Sequence, residues 1–187
     1  MGSIVDDINN FISVDIEAAG PIPSQYALLA IGACTVTQPR QTFYAELIPD
    51  KDLADPQAME VHGLDLSRLA QEGLPPKESL RRFAAWLAEV VPPGRSPLMV
   101  AFNAPFDWMF INDYFTRYLG TNPFGHSAVD IKAVYMGASG KSWAETSGTY
   151  LHQRYPDGGK LTHNALEDAI SQAVIFKGIL MEFFSQK

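Results

Sequence analysis

Hydrophobic positions along this chain follow two periods. Near the start they alternate every second residue; further on they recur every three to four, and the change marks where strands give way to helices. The run Phe11-Ile12-Ser13-Val14-Asp15-Ile16-Glu17 alternates as a strand does, so Ile12, Val14 and Ile16 share one face while Asp15 and Glu17 share the other. A loop punctuated by Gly20, Pro21 and Pro23 ends it. Apolar stretches over residues 26–37 and 41–48 read as two further strands around the turn Gln38-Pro39-Arg40. Their connections are too short for a helical crossover, which predicts an antiparallel meander of three strands.

Helical signals begin at Asp55-Pro56, an acidic cap followed by proline at a first helical position, and Gly63 supplies the stop. A longer helix is predicted over 77–90, with Leu80, Phe83, Ala84, Leu87 and Val91 at helical spacing, and Pro92-Pro93-Gly94 closing it. Residues 98–102 read as a buried strand, parallel to an earlier one because a crossover helix precedes it. Asn103-Ala104-Pro105 starts a helix that stops at Gly120 and carries Asp107 in its first turn. Residues 121–159 are rich in glycine, serine and proline, predicting short helices and loops with a brief element around 128–131. A closing helix from about Asn164 buries Leu166, Ile170, Ala173, Val174, Ile179, Leu180 and Phe183. This order predicts an α/β fold, a mixed sheet with helices packed over it, in one domain spanning 1–187 with residues 1–10 as an N-terminal tail.

Composition narrows the picture. Of 187 residues 47% are hydrophobic and 19% charged, which suits one globular core. No segment has transmembrane length and the first residues lack a signal peptide's pattern, so the expectation is a cytoplasmic protein with no membrane partner. Cys34 is the only cysteine and sits in an apolar run, where it reads as a buried filler. The net charge of −7 argues against gripping long duplex nucleic acid through a broad basic face. Clustered metal-binding acids would account for part of that balance.

Acids end strands often, and Asp15 with Glu17 would be unremarkable on a solvated edge. On an apolar, hence central, strand the pair repels unless it is protonated or bridged by cations. Asp107 has its own explanation in the helix dipole, which also keeps a carboxylate ionised. His163 and Asp168 converge only if His163 precedes the last helix, and Ala165 and Ala169 are small enough to let another element approach.

Taken together, Asp15-Ile16-Glu17, Asn103-Ala104-Pro105-Phe106-Asp107 and His163-Asn164-Ala165-Leu166-Glu167-Asp168 resemble the three motifs of the DEDDh 3′-5′ exonucleases, in that family's order. The family includes proofreading exonucleases, ribonuclease T and oligoribonuclease. The resemblance implies a ribonuclease H-like fold with a mixed five-stranded sheet, three antiparallel N-terminal strands and then parallel strands, flanked by helices. It implies that Asp15, Glu17, Asp107 and Asp168 hold two Mg²⁺ or Mn²⁺ ions and that His163 is the general base. It further implies release of nucleoside 5′-monophosphates from the 3′ end of single-stranded DNA, RNA or short oligonucleotides, and it admits a homodimer. A silent nucleic-acid-binding module of the same fold, and a small-molecule phosphodiesterase, are the alternatives.

For the terminal nucleotide the resemblance points to His62, Gly63 and Leu64, with Asn103 and Ala18 beside them. His62-Gly63-Leu64 equally fits a helix stop followed by a core leucine. Asp130 resembles a further family acid and equally fits a helix cap. The family's usual threonine after the first glutamate is replaced by Ala18, which removes a hydroxyl from the substrate side. Phe102 and Phe106 are expected in the core, Trp143 in a polar loop as a surface on which bases stack, and Lys132, Lys141, Arg154 and Lys160 on a cleft rim or simply solvated.

Overall fold

A computed structural model describes residues 4–185. Residues Ile4–Asn10, expected as a tail, wind into a 3-10 helix whose Ile4 and Ile8 pack on the core. Strands β1 (Phe11–Ala18), β2 (Leu28–Thr35) and β3 (Thr42–Glu46) form the antiparallel meander. Three helices follow, α1 (Pro56–His62), α2 (Leu66–Glu72) and α3 (Pro76–Val90). Then come β4 (Leu98–Ala101), α4 (Ala104–Leu119), β5 (Ala128–Asp130), α5 (Ile131–Ser139), α6 (Gly148–Arg154) and α7 (Ala165–Phe184).

The five strands lie in the order β3-β2-β1-β4-β5, with β4 parallel to β1 and β5 parallel to β4. The mixed sheet expected from the sequence is the one observed. Helix α2 was not expected. It is a single short segment with one buried residue, Leu69, so it has no periodicity to detect; the Asp65 carboxylate caps it by accepting from the Ser67 and Arg68 amides.

The alternation of β1 sorts the two layers. Ile12, Val14 and Ile16 pack with Leu80, Phe83 and Leu87 of α3 and Phe110, Ile111 and Phe115 of α4. On the other face, Phe11 joins Cys34 and Val100 beneath Tyr135 of α5 and Ile175, Phe176 and Ile179 of α7. Each such side chain contributes roughly 1.5–3 kcal/mol on full burial, which fixes the strand's register because a one-residue slip would send this whole set to the wrong layer. Asp15 and Glu17 therefore face α7. Pairing between β1 and β4 runs only to Ser13 opposite Val100, so the two acids lie beyond the carboxyl end of β4 and are paired with β2 alone. A crevice at the carboxyl ends of parallel strands is where open α/β sheets place their ligands.

The seating of α7 depends on a residue with no side chain. Gly32 lies opposite Asp15 in the β1–β2 register, and a Cβ built there would fall 2.1 Å from the Ala165 carbonyl carbon and 2.3 Å from the Leu166 amide nitrogen. The first turn of α7 thus rests directly on the backbone of β2. Gly32→Ala is expected to destabilise the protein by about 1–3 kcal/mol through overpacking and to cost activity by lifting α7 from the strand acids. A melting temperature equal to that of the parent would contradict this.

Candidate active site

Three of the sequence-predicted acids meet at the end of β1. Asp15 and Glu17 from the strand and Asp168 from the first turn of α7 each offer a carboxylate oxygen, and these atoms lie within 4.8 Å of one another. Asp107, buried in the first turn of α4, stands outside that triplet but touches the same strand: its Oδ1 accepts the amide of Ile16, the residue between the two strand acids, at 3.1 Å. Oxygen donors of this number and charge fit a hard divalent cation.

Electrostatics give the same reading. Burial, then the charges of Asp107, Glu17 and Asp168, hold the Asp15 carboxyl well above the usual carboxylate range. Glu17 is pushed up to about 8 by burial and by Asp168 and Asp107. Burial also raises Asp107 to about 8, against the backbone amides that donate to it. Acids so placed hold protons near neutral pH unless a cation replaces them.

Asp168 also shapes the segment before its helix. It accepts from the Thr162 amide at 2.8 Å, the Thr162 hydroxyl at 3.2 Å and the His163 amide at 2.9 Å. His163 lies ahead of α7, as its convergence requires, and is exposed with φ of 57°. Asn103, just before α4, has φ of 64°. Among the described residues these are the two non-glycine positions in the left-handed region; Asn103 directly precedes α4, and His163 stands one residue ahead of the Asn164 cap of α7, so each lies at the entry to a helix that carries an acid of the site. Such backbone costs about 1–3 kcal/mol and is characteristic of functional positions.

The substrate-side residues divide. His62 accepts the Leu64 amide at Nδ1 (3.1 Å), which leaves Nε2 protonated and donating to the Ala18 carbonyl (3.3 Å). Burial, with a smaller contribution from the neighbouring His163, lowers its pKa against the hydrogen bond to the Ala18 carbonyl and favours this neutral form. Ala18 and His62 line one cleft of about 370 Å³ together with Glu17, Gly20, Val61 and Phe106. Gly63 is the left-handed helix stop at φ 67°, and Leu64 packs into a small cluster with Ala19, Ala27, Leu29 and Leu69. The side chain of Asn103 makes no capping hydrogen bond. Asp130 is a cap twice over, accepting the Ala133 amide of α5 and the Ala104 amide of α4, each at 2.8 Å.

Two residues that the sequence did not single out support the acids. Gly32 admits α7. Gln172, buried one turn beyond Asp168, donates Nε2–H to Asp15 Oδ1 (2.5 Å) and accepts the Phe102 amide (2.9 Å), tying α7, β1 and the end of β4 together. Its i+4 spacing from Asp168 on an otherwise apolar face is the signal it leaves in the sequence.

Residues 12–176 match the family described as exonuclease (RNase_T). The chain belongs to this exonuclease family. An Escherichia coli relative named 3′-5′ DNA exonuclease Cap18 is 42% identical over 177 residues, covering 95% of this chain and 94% of its own. Among solved structures, the nuclease domain of 3′hExo, a DEDDh family member bound to rAMP, superposes with a TM-score of 0.76 over 95% of this chain and 94% of that one at 12% identity. Schizosaccharomyces pombe Pop2p in its Mg²⁺- and Mn²⁺-bound form gives 0.72 over 96% and 87% at 15% identity. These likenesses are of fold, and with the family match they bear out the ribonuclease H-like architecture and the DEDDh resemblance.

An acid whose pKa is higher folded than unfolded takes up a proton on folding between those two values, so its stabilisation is complete below the lower one and lost as pH rises through the upper. For Glu17 and Asp107 the window runs from 4.5 and 3.8 to about 8. His62, whose pKa is lowered, acts in the opposite sense below 6.5 but is one group against three. In EDTA the melting temperature should therefore fall from about pH 5 to about pH 8, Asp15→Asn should flatten the slope, and saturating Mn²⁺ should stabilise more at the upper end. A pH-independent melting temperature in EDTA, with equal Mn²⁺ increments at both ends, would refute the electrostatic reading.

Proposed function

We propose that this exonuclease acts from the 3′ end of single-stranded DNA and releases nucleoside 5′-monophosphates. The observation that carries the reading is the convergence of Asp15, Glu17 and Asp168 beneath an exposed histidine loop, with Asp107 on the adjacent backbone. The relative named as a 3′-5′ DNA exonuclease supports polarity and substrate. A cytoplasmic location and a single-domain organisation over 1–187 belong to the same proposal and rest on the sequence patterning.

Asp15, Glu17, Asp107 and Asp168 would hold Mg²⁺ or Mn²⁺, two ions on the family resemblance. Such ions, when bound, polarise the phosphate, acidify water and offset charge on the leaving oxygen. His163 receives the proton of the attacking water; its backbone amide is fixed to Asp168, so the loop that carries it is held against the acids while its ring reaches solvent. The cleft at Ala18 receives the terminal nucleotide, with Phe106 as an apolar wall and His62 fastened to the Ala18 carbonyl as the opposite side. Cleavage leaves the phosphate on the departing nucleotide and a 3′-hydroxyl on the shortened strand. Alanine in place of threonine at position 18 leaves orientation of the terminal nucleotide to backbone and to the shape of the cleft.

End-labelled DNA and RNA oligonucleotides with Mg²⁺ or Mn²⁺ test this. The expected result is a ladder shortening from the 3′ end, on DNA foremost, abolished by EDTA and by Asp15→Ala. His163→Ala should lower the rate roughly 10²–10⁴-fold while calorimetry shows metal affinity kept. Undiminished cleavage by Asp15→Ala would overturn the site assignment. Absence of cleavage on every oligonucleotide would favour a binding module or a small-molecule phosphodiesterase.

A further inference from the structure

Trp143 is 53% exposed, an unusual state for a side chain whose area normally serves the core. Nothing about its setting is loose. The 3-10 turn Trp143–Thr146 is closed at its start by Ser142, whose amide and hydroxyl both donate to Glu145 Oε2 (3.2 and 2.8 Å) while its carbonyl accepts the Glu145 amide (3.0 Å). The buried Thr146 hydroxyl returns to the Trp143 carbonyl at 2.7 Å, and Lys141 pairs with Glu145 at 3.1 Å. An indole is thus held out to solvent on a braced turn, with Lys132 Nζ 4.0 Å from its ring centroid.

The platform lies at the active-site end of the sheet. Asp130, two residues before Lys132, accepts the Ala104 amide at the start of the helix that carries Asp107. Gly148, five residues after Trp143, packs on the approach to His163: a Cβ there would lie 3.2 Å from Leu161 Cδ1 and 3.9 Å from Phe102 Cε1. The charge of this segment is also opposite to that of the chain. Between residues 131 and 164 stand Lys132, Lys141, Arg154 and Lys160 against only Glu145 and Asp157, in a chain whose net charge is −7. Lys141 and Arg154 are paired with Glu145 and Glu182, whereas Lys132 and Lys160 have no carboxylate partner among the described residues.

We propose that Trp143 and Lys132 form a stacking subsite for an unpaired base of the substrate strand, upstream of the nucleotide in the cleft at Ala18. This rests on the exonuclease reading above and adds to it where the rest of the strand lies. A base stacks without regard to sequence on the indole face opposite the Lys132 ammonium, and that ammonium, seated over the other face, neutralises an adjoining phosphate; together these give the sequence-tolerant grip a processing exonuclease requires. A chain this acidic lacks a broad basic face, so one aromatic platform with a local positive charge supplies affinity that electrostatics elsewhere does not.

The test uses the full chain and its Trp143→Ala, Trp143→Phe and Lys132→Gln variants. The first measurement is kcat/KM for a ten-nucleotide single strand relative to a dinucleotide. The second is the Kd of a fluorescent ten-nucleotide strand in EDTA, where no cleavage occurs. Trp143→Ala should lower the length ratio and raise the Kd at least about fivefold each, with Trp143→Phe recovering most of both. Lys132→Gln should reduce the salt slope of binding by about 0.7. A length ratio and Kd within twofold of the parent in Trp143→Ala would overturn the subsite while leaving the exonuclease standing; so would equal losses on both substrates that Trp143→Phe does not recover. Trp143-dependent binding without cleavage of any strand would keep the subsite and remove the exonuclease. A protein that neither binds nor cleaves the strand would overturn both.

Discussion

Repulsion among carboxylates brought into one partly desolvated crevice is the constraint on which the rest of this structure depends. Asp15, Glu17 and Asp168 approach within 4.8 Å, with Asp107 on the neighbouring amide, at a cost that burial raises further. A fold meets that cost only if its elements are held from elsewhere. Here the apolar face of β1 against α3 and α4, and the second layer of α5 and α7, hold the acids in place by hydrophobic burial. Backbone amides and one buried amide side chain then do locally what cations would complete.

The supports come from both layers. Gln172 reaches from α7 to Asp15 and to the amide of Phe102 just past the end of β4, and Asp168 gathers the amides of Thr162 and His163. Gly32 lets α7 descend far enough for those bonds to form. The left-handed backbones at Asn103 and His163 are the strain left over where chain direction changes just ahead of each acid-bearing helix. On the α4 side, Tyr114 accepts the Leu28 amide and donates to Asp50, which also pairs with Arg117, so the helix bearing Asp107 is fastened to β2.

Much of this was legible in the sequence because it depends on local pattern. Alternation in residues 11–17 predicted which side chains of β1 face together, and the spacing of Leu80, Phe83 and Leu87 marked α3. The three acid motifs stood out because residue type and order, not packing, define them. What stayed hidden was non-local. Gly32 sits in an apolar strand where a missing side chain has no meaning until the backbone of α7 is placed on it. Gln172 reads as one polar residue on a buried helix face until Asp15 and Phe102 stand on either side. Helix α2 left no period to find. His62 gives its reason only in three dimensions, through the Ala18 carbonyl that its ring holds.

The central claim is that Asp15, Glu17 and Asp107, whose carboxyls burial and neighbouring charge raise, keep protons near neutral pH until a divalent cation displaces them. Titrating the metal-free protein with Mn²⁺ near pH 7, in buffers of different ionisation enthalpy, measures that displacement directly. Net proton release is expected on binding, shrinking as the pH is raised above about 8, where Glu17 and Asp107 ionise without help. Binding without proton release near pH 7 would contradict it.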